Sequence, residues 1–290
     1  MSWKEIPRLF LSEQIHVNSG WHPTLGFTSF QRFMAKESYA KLWTPEGVEA
    51  PPLDPWGEAG AYTTILVDGD PPRPRFLERH LDRLEESCGL LEAEPPLPRA
   101  FVKSKVLEAA DALESGTMLR VALIPAGLSL TSYPQSGKNA DLTGIPETVQ
   151  RHLPAAKSLM DTPLKNHLQN YDRNLHELLL IDPDGYILEG ATTNLLFVKD
   201  HQIDSPESGC LAGITRQILR ESINESEWVW NPSQIHMEQL PEYDEILVCG
   251  SGKEVARLIR IEGHNWQPKQ DLAFRELSQK FREAKESDHS

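Results

Sequence analysis

Three short stretches carry side chains that could do chemistry. GYILEGATTNLLFVKD runs from Gly185 to Asp200, and its strand-type residues flank a polar centre, Glu189-Gly190-Ala191-Thr192-Thr193-Asn194. A carboxylate facing a core needs a cation or a strong donor. Glu189 is therefore either part of a buried site or an outward-facing glutamate on a half-exposed strand. GCLAGITRQILRE sets Gly213 ahead of Ile214, Thr215 and an apolar-periodic helix. The free N–H groups and positive dipole end of such a start suit a phosphate, and Thr215 adds a hydroxyl. CGSGKE, residues 249–254, is a small-residue turn between strand-like segments. It lets backbone approach an anion closely, with Ser251 as the hydroxyl. Taken singly, the last two also read as an ordinary helix cap and an ordinary hairpin turn.

The elements that must position these groups follow from periodicity and turn chemistry. AYTTILVDGD reads as a strand entering a turn at Asp68-Gly69-Asp70. RFLERHLDRLEESCGLL (75–91) and PRAFVKSKVLEAADALE (98–114) read as amphipathic helices, and TMLRVALIPAG (117–127) as a strand. The polar, turn-rich stretch 132–150 is a candidate boundary. After it come a strand up to about Lys157, a helix, and a hairpin turning at Pro183-Asp184-Gly185. A strand–turn–strand spans 244–263, and LAFRELSQKFREAKE closes the sequence as a helix. This mix predicts an α+β chain, with an N-terminal domain over 1–135, a linker over 136–149 and a C-terminal domain over 150–290.

The bulk composition narrows the classes of partner. The 290 residues suffice for a large core and two domains, and their net charge of −14 argues against a nucleic-acid or anionic-membrane surface. Cys88, Cys210 and Cys249 are few and scattered, so neither a disulfide framework nor a metal site is expected and the chain reads as cytoplasmic. The start, MSWKEIPRLF, has no apolar h-region, and nowhere do 18 apolar residues run together. No secretory leader or membrane span is therefore expected.

Together the motifs resemble the signature of class IV aminotransferases, the fold-type IV pyridoxal 5'-phosphate (PLP) enzymes. These include branched-chain and D-amino-acid aminotransferases and aminodeoxychorismate lyases. The resemblance also takes in the His-x-x-Arg-Leu pattern of RFLERHLDRLEESCGLL and the segment DEILVCGSGKEVARLIRIEG. It extends from about residue 57 to the C-terminus, while the first fifty residues match poorly. It implies a smaller N-terminal α+β domain and a larger C-terminal domain with a mostly antiparallel, barrel-like sheet. It further implies that Glu189 binds the pyridine nitrogen and that Arg83, Ile214, Thr215 and Ser251 hold the phosphate. Ser251 stands where threonine is usual and keeps the hydroxyl. Asn194 would fix the local turn, and the polar centre of the strand would form the cofactor floor.

PLP chemistry needs a lysine that carries the cofactor as a Schiff base, and Lys157 and Lys165 both precede Glu189. The family sets this lysine at a strand end, ahead of a helix and the hairpin. With the hairpin starting near Leu178, Lys157 leaves 20 residues for the helix and its loops, and Lys165 leaves 12. A helix of ~11–12 residues with two loops of ~2–6 each favours Lys157. Asp161 or Thr162 is a good N-cap and Pro163 a good N1, which would put Lys165 in the first helical turn; Lys165 stays as the alternative. On the substrate side, Arg120 reads equally as a carboxylate ligand or a structural arginine. Tyr62 sits where an aromatic faces the cofactor in the family, and reads otherwise as a core tyrosine.

The expected activity is amino transfer between an amino acid and a 2-oxo acid. The alternatives are 4-amino-4-deoxychorismate lyase and a non-catalytic PLP-binding scaffold. A homodimer is expected, with segment 45–60 and loop 128–140, both long for internal connections, as candidates for contacts across its interface.

Overall fold

In the computed structural model, residues 39–223 and 227–288 are described. Residues 1–38, assigned above to the N-terminal domain, lie outside the described residues. The first half forms strands β1 (Ala40–Trp43), β2 (Glu49–Ala50), β3 (Ala61–Asp68) and β4 (Arg73–Pro74), helices α1 (Leu77–Leu90) and α2 (Arg99–Asp111), then β5 (Thr117–Ile124) and β6 (Gly127–Pro134). The six strands make one antiparallel sheet in the order β2-β1-β6-β5-β3-β4. Strand alternation sends Thr63, Ile65 and Val67 to one face, where Leu77, Leu81 and Leu84 of α1 and Val102 and Val106 of α2 complete a core. Tyr62 and Arg120 point to the other face. That two-faced sheet sets Thr63 and Tyr62, adjacent in sequence, on opposite sides.

The second half contributes β7 (Asp141–Thr148), α3 (Thr162–Leu168), β8 (His176–Ile181), β9 (Tyr186–Gly190), β10 (Asn194–Lys199), β11 (Gln202–Ser205), α4 (Ile214–Ser222), β12 (Val229–Pro232), β13 (Ile235–His236), β14 (Glu245–Gly250), β15 (Glu254–Ile261) and α5 (Leu272–Glu286). Nine strands pair in the order β12-β11-β10-β14-β15-β7-β8-β9-β13. Five pairings are antiparallel, and β11–β12, β15–β7 and β7–β8 are parallel. Both faces of β10 are covered. Leu195 and Phe197 join one core, and Leu196 and Val198 join another with Ile218 of α4 and Leu277 of α5, so the strand reads as a continuous apolar run. Among the described residues no helix is long and apolar enough to cross a membrane.

Three expectations are corrected. Most of the loop expected at 128–140 is strand β6, and the linker expected at 136–149 holds β7, a central strand of the larger sheet. Gly144 and Pro146 disguised β7 as turn. It tolerates the proline because β15 pairs only as far as Gly144, so Pro146 has a single neighbour, β8. The strand expected up to Lys157 is an irregular loop with one isolated bridge, Ala61 to Ser158. Arg151 accounts for it, since its guanidinium donates to the carbonyls of Pro154 (2.7 Å) and Ala156 (3.0 Å) and wraps the loop about itself. Helix α3 has 7 residues, shorter than the ~11–12 expected between Lys157 and the hairpin.

Candidate active site

The quoted stretch is two strands, β9 and β10, joined by a tight bend at Ala191-Thr192-Thr193. Glu189, buried near the end of β9, accepts from Arg151 through Nε (2.9 Å) and Nη2, and from the Leu211 N–H (3.0 Å). The cation and the strong donor required of a buried carboxylate are thus both present. Burial pushes the Glu189 carboxyl up, against the pull of Arg151 and the Leu211 N–H. Burial disfavours charge on Arg151 most strongly, but Glu189, Asp161 and Tyr62 together outweigh it and raise the guanidinium, so Arg151 is the fixed positive charge of the pair.

Lys157 follows the loop wrapped around Arg151. Its backbone is pinned at both ends: its N–H donates to Ser87 Oγ (3.2 Å) and its carbonyl accepts from the Tyr62 N–H (3.0 Å). Its amine lies over the Tyr62 ring, 4.8 Å from the centroid. Burial, with Arg83 and Arg151 nearby, brings its pKa from 10.5 down to about 7. An amine that is half neutral at neutral pH can act as a nucleophile or a base.

A chain of polar groups leads from Arg83 to the turn after β14. Arg83 Nη2 donates to Thr63 Oγ1 (2.8 Å), Thr63 meets His80 Nδ1 (2.8 Å), and His80 Nε2 faces Ser251 Oγ (3.5 Å). Burial, then the positive charges of Arg83 and Lys157, hold His80 well below its ordinary range, so the ring is neutral. Thr63 Oγ1 and Ser251 Oγ are thus the partners of its two ring nitrogens. His80, Ile214, Thr215 and Ser251 line one small cleft at the start of α4. Burial lowers Arg83 to about 10, and its Nε is buried without a partner. Among the described residues no carboxylate pairs with it. Arg83 is tied through Thr63 and His80 to Ser251, in the cleft at the start of α4; a guanidinium, hydroxyls and a helix N-terminus linked in this way suit an anion, and a phosphate fits.

Asn194 does not face that cleft. Its amide donates to Leu211 O (2.9 Å) and packs on Gly213, where any side chain would run into it, so it shapes the loop leading into α4. Arg120 lies between the rings of Trp56 and Tyr133, 5.3 Å from each centroid, and reaches Thr131 Oγ1 at 3.4 Å. Trp56 stands edge-on to Tyr62 at 5.0 Å. Lys165 is on α3, over Trp56 and paired with the exposed Asp54 (3.2 Å), so it sits apart from Glu189. A cleft of about 480 Å3 at the far end of β10 shares no lining residue with these groups; of its carboxylates, Asp204 already accepts from Tyr243, Asn231 and Gln202, and Glu242 pairs with Lys199.

Residues 60–261, about seven-tenths of the chain, match the family described as Amino-transferase class IV. The chain belongs to that family. It is 23% identical over 215 residues to the branched-chain-amino-acid aminotransferase-like protein 2 of Arabidopsis thaliana; the match covers 64% of this chain and 38% of that relative's length. The PLP-bound form of a hypothetical aminotransferase from Mycobacterium tuberculosis shares the fold, with a TM-score of 0.68 and 18% identity over 85% of this chain and 99% of that one. So does the 4-amino-4-deoxychorismate lyase of Pseudomonas aeruginosa, with a TM-score of 0.64 and 24% identity over 81% and 96%.

Within this class IV chain, four groups at the site, Arg151, Thr63, His80 and Asp161, are given no site role by the sequence alone. Arg151 was findable in principle, because a buried Glu189 demands a cation and an arginine lies shortly before Lys157. Thr63 and His80 are brought together by α1 packing on β3, and only the helical half of that pair belongs to a local motif. Asp161, near Arg151 Nη1 at 3.5 Å, looked like a helix cap, yet its side chain makes no cap bond.

Proposed function

We infer that this chain is a PLP-dependent aminotransferase that moves an amino group between an amino acid and a 2-oxo acid. The observation that carries the reading is one buried amine, Lys157, with its pKa brought to about 7 beside Arg83, Arg151 and Glu189. Family membership supports the same chemistry. The cofactor supplies an electron sink for the pair left at the amino acid's α-carbon. Lys157 would hold the cofactor through its Nζ, and its amine, when free, would serve as the base at the amino acid's α-carbon. Glu189, oriented by Arg151 and the Leu211 N–H, keeps a proton on the pyridine nitrogen. Arg83, the N–H groups at Ile214 and Thr215, and the hydroxyls of Thr215 and Ser251 take the phosphate. Asn194 acts by shaping the loop beside them. Tyr62 lies on the cofactor side, and Arg120, held by two rings, receives a substrate carboxylate.

The division of the chain into an N-terminal and a C-terminal domain, redrawn with the connection at 135–140, belongs to the same proposal, supported by two sheets with separate cores. So do a homodimer and a cytoplasmic location, the latter supported by three buried free cysteines. The test supplies PLP and an amino acid and follows 2-oxo-acid-dependent amino transfer, with aminodeoxychorismate in a parallel arm. Transfer supports the proposal. Pyruvate release from aminodeoxychorismate without transfer would replace it with the lyase reading, and PLP binding with neither activity would leave a scaffold.

A further inference from the structure

Two turns meet beneath the cofactor site assigned above, and one ion pair ties them together. The first is the bend Ala191-Thr192-Thr193 between β9 and β10. The second is Ser251-Gly252-Lys253 between β14 and β15. The end of β14, just ahead of the second turn, packs on the first bend, since a Cβ on Gly250 would stand 3.2 Å from the Thr192 carbonyl. Behind them, Glu177 at the start of β8 accepts the Thr192 N–H at 3.1 Å through Oε1. Its Oε2 lies 3.4 Å from Lys253 Nζ, and the same amine donates to the Arg173 carbonyl at 2.6 Å. The two side chains are 2% and 3% exposed. Gly190 keeps the carboxylate close, because a Cβ there would stand 2.7 Å from Glu177 Oε1. The Ser251 turn is held from the other side too: Gln135 donates to the Gly252 carbonyl at 2.8 Å, and the Asn139 N–H donates to the Lys253 carbonyl at 3.1 Å.

Nothing in the proposed reaction uses Glu177 or Lys253. Burial drives the Lys253 amine below its ordinary range, against the raising influence of Glu177. A buried pair of this kind is a weak source of stability, because apolar side chains of similar volume often serve as well. What apolar side chains cannot do is bond the Thr192 N–H and the Arg173 carbonyl at once, and thereby set the bend and the phosphate turn at a fixed separation.

We propose that Lys253 and Glu177 are positioning residues that hold the Thr192 bend and the Ser251 turn in register, so that the cofactor's ring and phosphate are gripped at the same time. The inference rests on the assignment of those turns to the cofactor site. Its test is a PLP titration of the full-length apo protein, read as a dissociation constant and as the induced circular dichroism of the bound cofactor. Wild type, Lys253→Met and the double variant Lys253→Met/Glu177→Leu are compared. Binding by the wild type examines the site assignment, and the ratio between proteins examines the ion pair. The proposal expects Lys253→Met to weaken PLP roughly tenfold or more, a typical coupling between linked sites, and to change the dichroism at saturation. The double variant regains thermal stability without regaining affinity. If Lys253→Met fails to fold, the double variant, which leaves no unpaired buried charge, carries the comparison. Wild-type affinity and dichroism in the double variant would overturn the proposal, as would a Lys253→Met protein that is only less stable.

Discussion

The proposed floor of the site and its proposed phosphate cup each rest on a buried arginine, and the two arginines are bonded in opposite ways. Arg151 is saturated: it serves Glu189, Asp161 and two backbone carbonyls. Arg83 is left open, with one bond to Thr63 and a buried Nε that has no partner. A saturated cation fixes a carboxylate in place before any ligand arrives. An unsaturated cation reserves its donors for the ligand. The floor is therefore built for orientation and the cup for binding, and substitutions in the two regions should fail differently.

The largest effect is expected where both regions act on one atom. Lys157→Ala should lower amino transfer by on the order of 10³-fold or more, while the protein still takes up PLP through the cup; transfer rates with saturating PLP measure this. At the floor, Glu189→Gln should keep the cofactor and lose turnover by roughly 10²–10³-fold, as when one preorganised charge partner is removed. Wild-type turnover in that variant would remove Glu189 from the ring nitrogen. At the cup the pattern inverts. Arg83→Ala and Thr215→Ala should weaken PLP roughly ten- to hundredfold, the worth of one charge-assisted bond, and change turnover only a few-fold once saturated. A large turnover loss at unchanged PLP affinity would erase the distinction between the two regions.

Lys157 also predicts a pH dependence of the apo protein. The unfolded chain keeps a proton on this amine up to about 10.5, and the folded chain only up to about 7. Between those values the unfolded state binds more protons, so the contribution of Lys157 to stability rises with pH. Lys157→Met should therefore be more stable than wild type at pH 7, by a margin that shrinks toward 10.5 in denaturant titrations. The smallest effect belongs to Lys165. Its partner Asp54 is exposed, so Lys165→Ala should change stability by less than about 1 kcal/mol and leave transfer within about twofold.

The sequence was legible where one local pattern decides the structure. Helices α1, α2 and α5 follow from apolar residues at helical spacing, and the β8–β9 turn from Pro183-Asp184-Gly185, where Gly185 takes a φ of 91°. The start of α4 at Ile214 and the turn at Ser251 were legible for the same reason. Strand β7 was not, because Gly144 and Pro146 are turn formers that only their pairing with β15 and β8 turns into a strand. The loop before Lys157 was unreadable because Arg151 folds it from within. The preference for Lys157 rested on a longer helix than the 7-residue α3. What separates the two lysines in the structure is surroundings, not spacing: Lys157 is ringed by buried charge and Lys165 faces Asp54. Thr63 with His80, and Glu177 with Lys253, join residues 17 and 76 positions apart, a distance no local pattern spans.

The central claim is that Lys157, and no other amine of this chain, carries the cofactor. Borohydride reduction of the PLP-loaded protein followed by peptide mapping tests it directly. The account predicts one pyridoxyl group per chain, on Lys157. A pyridoxyl group on Lys165, or none at all, would contradict it.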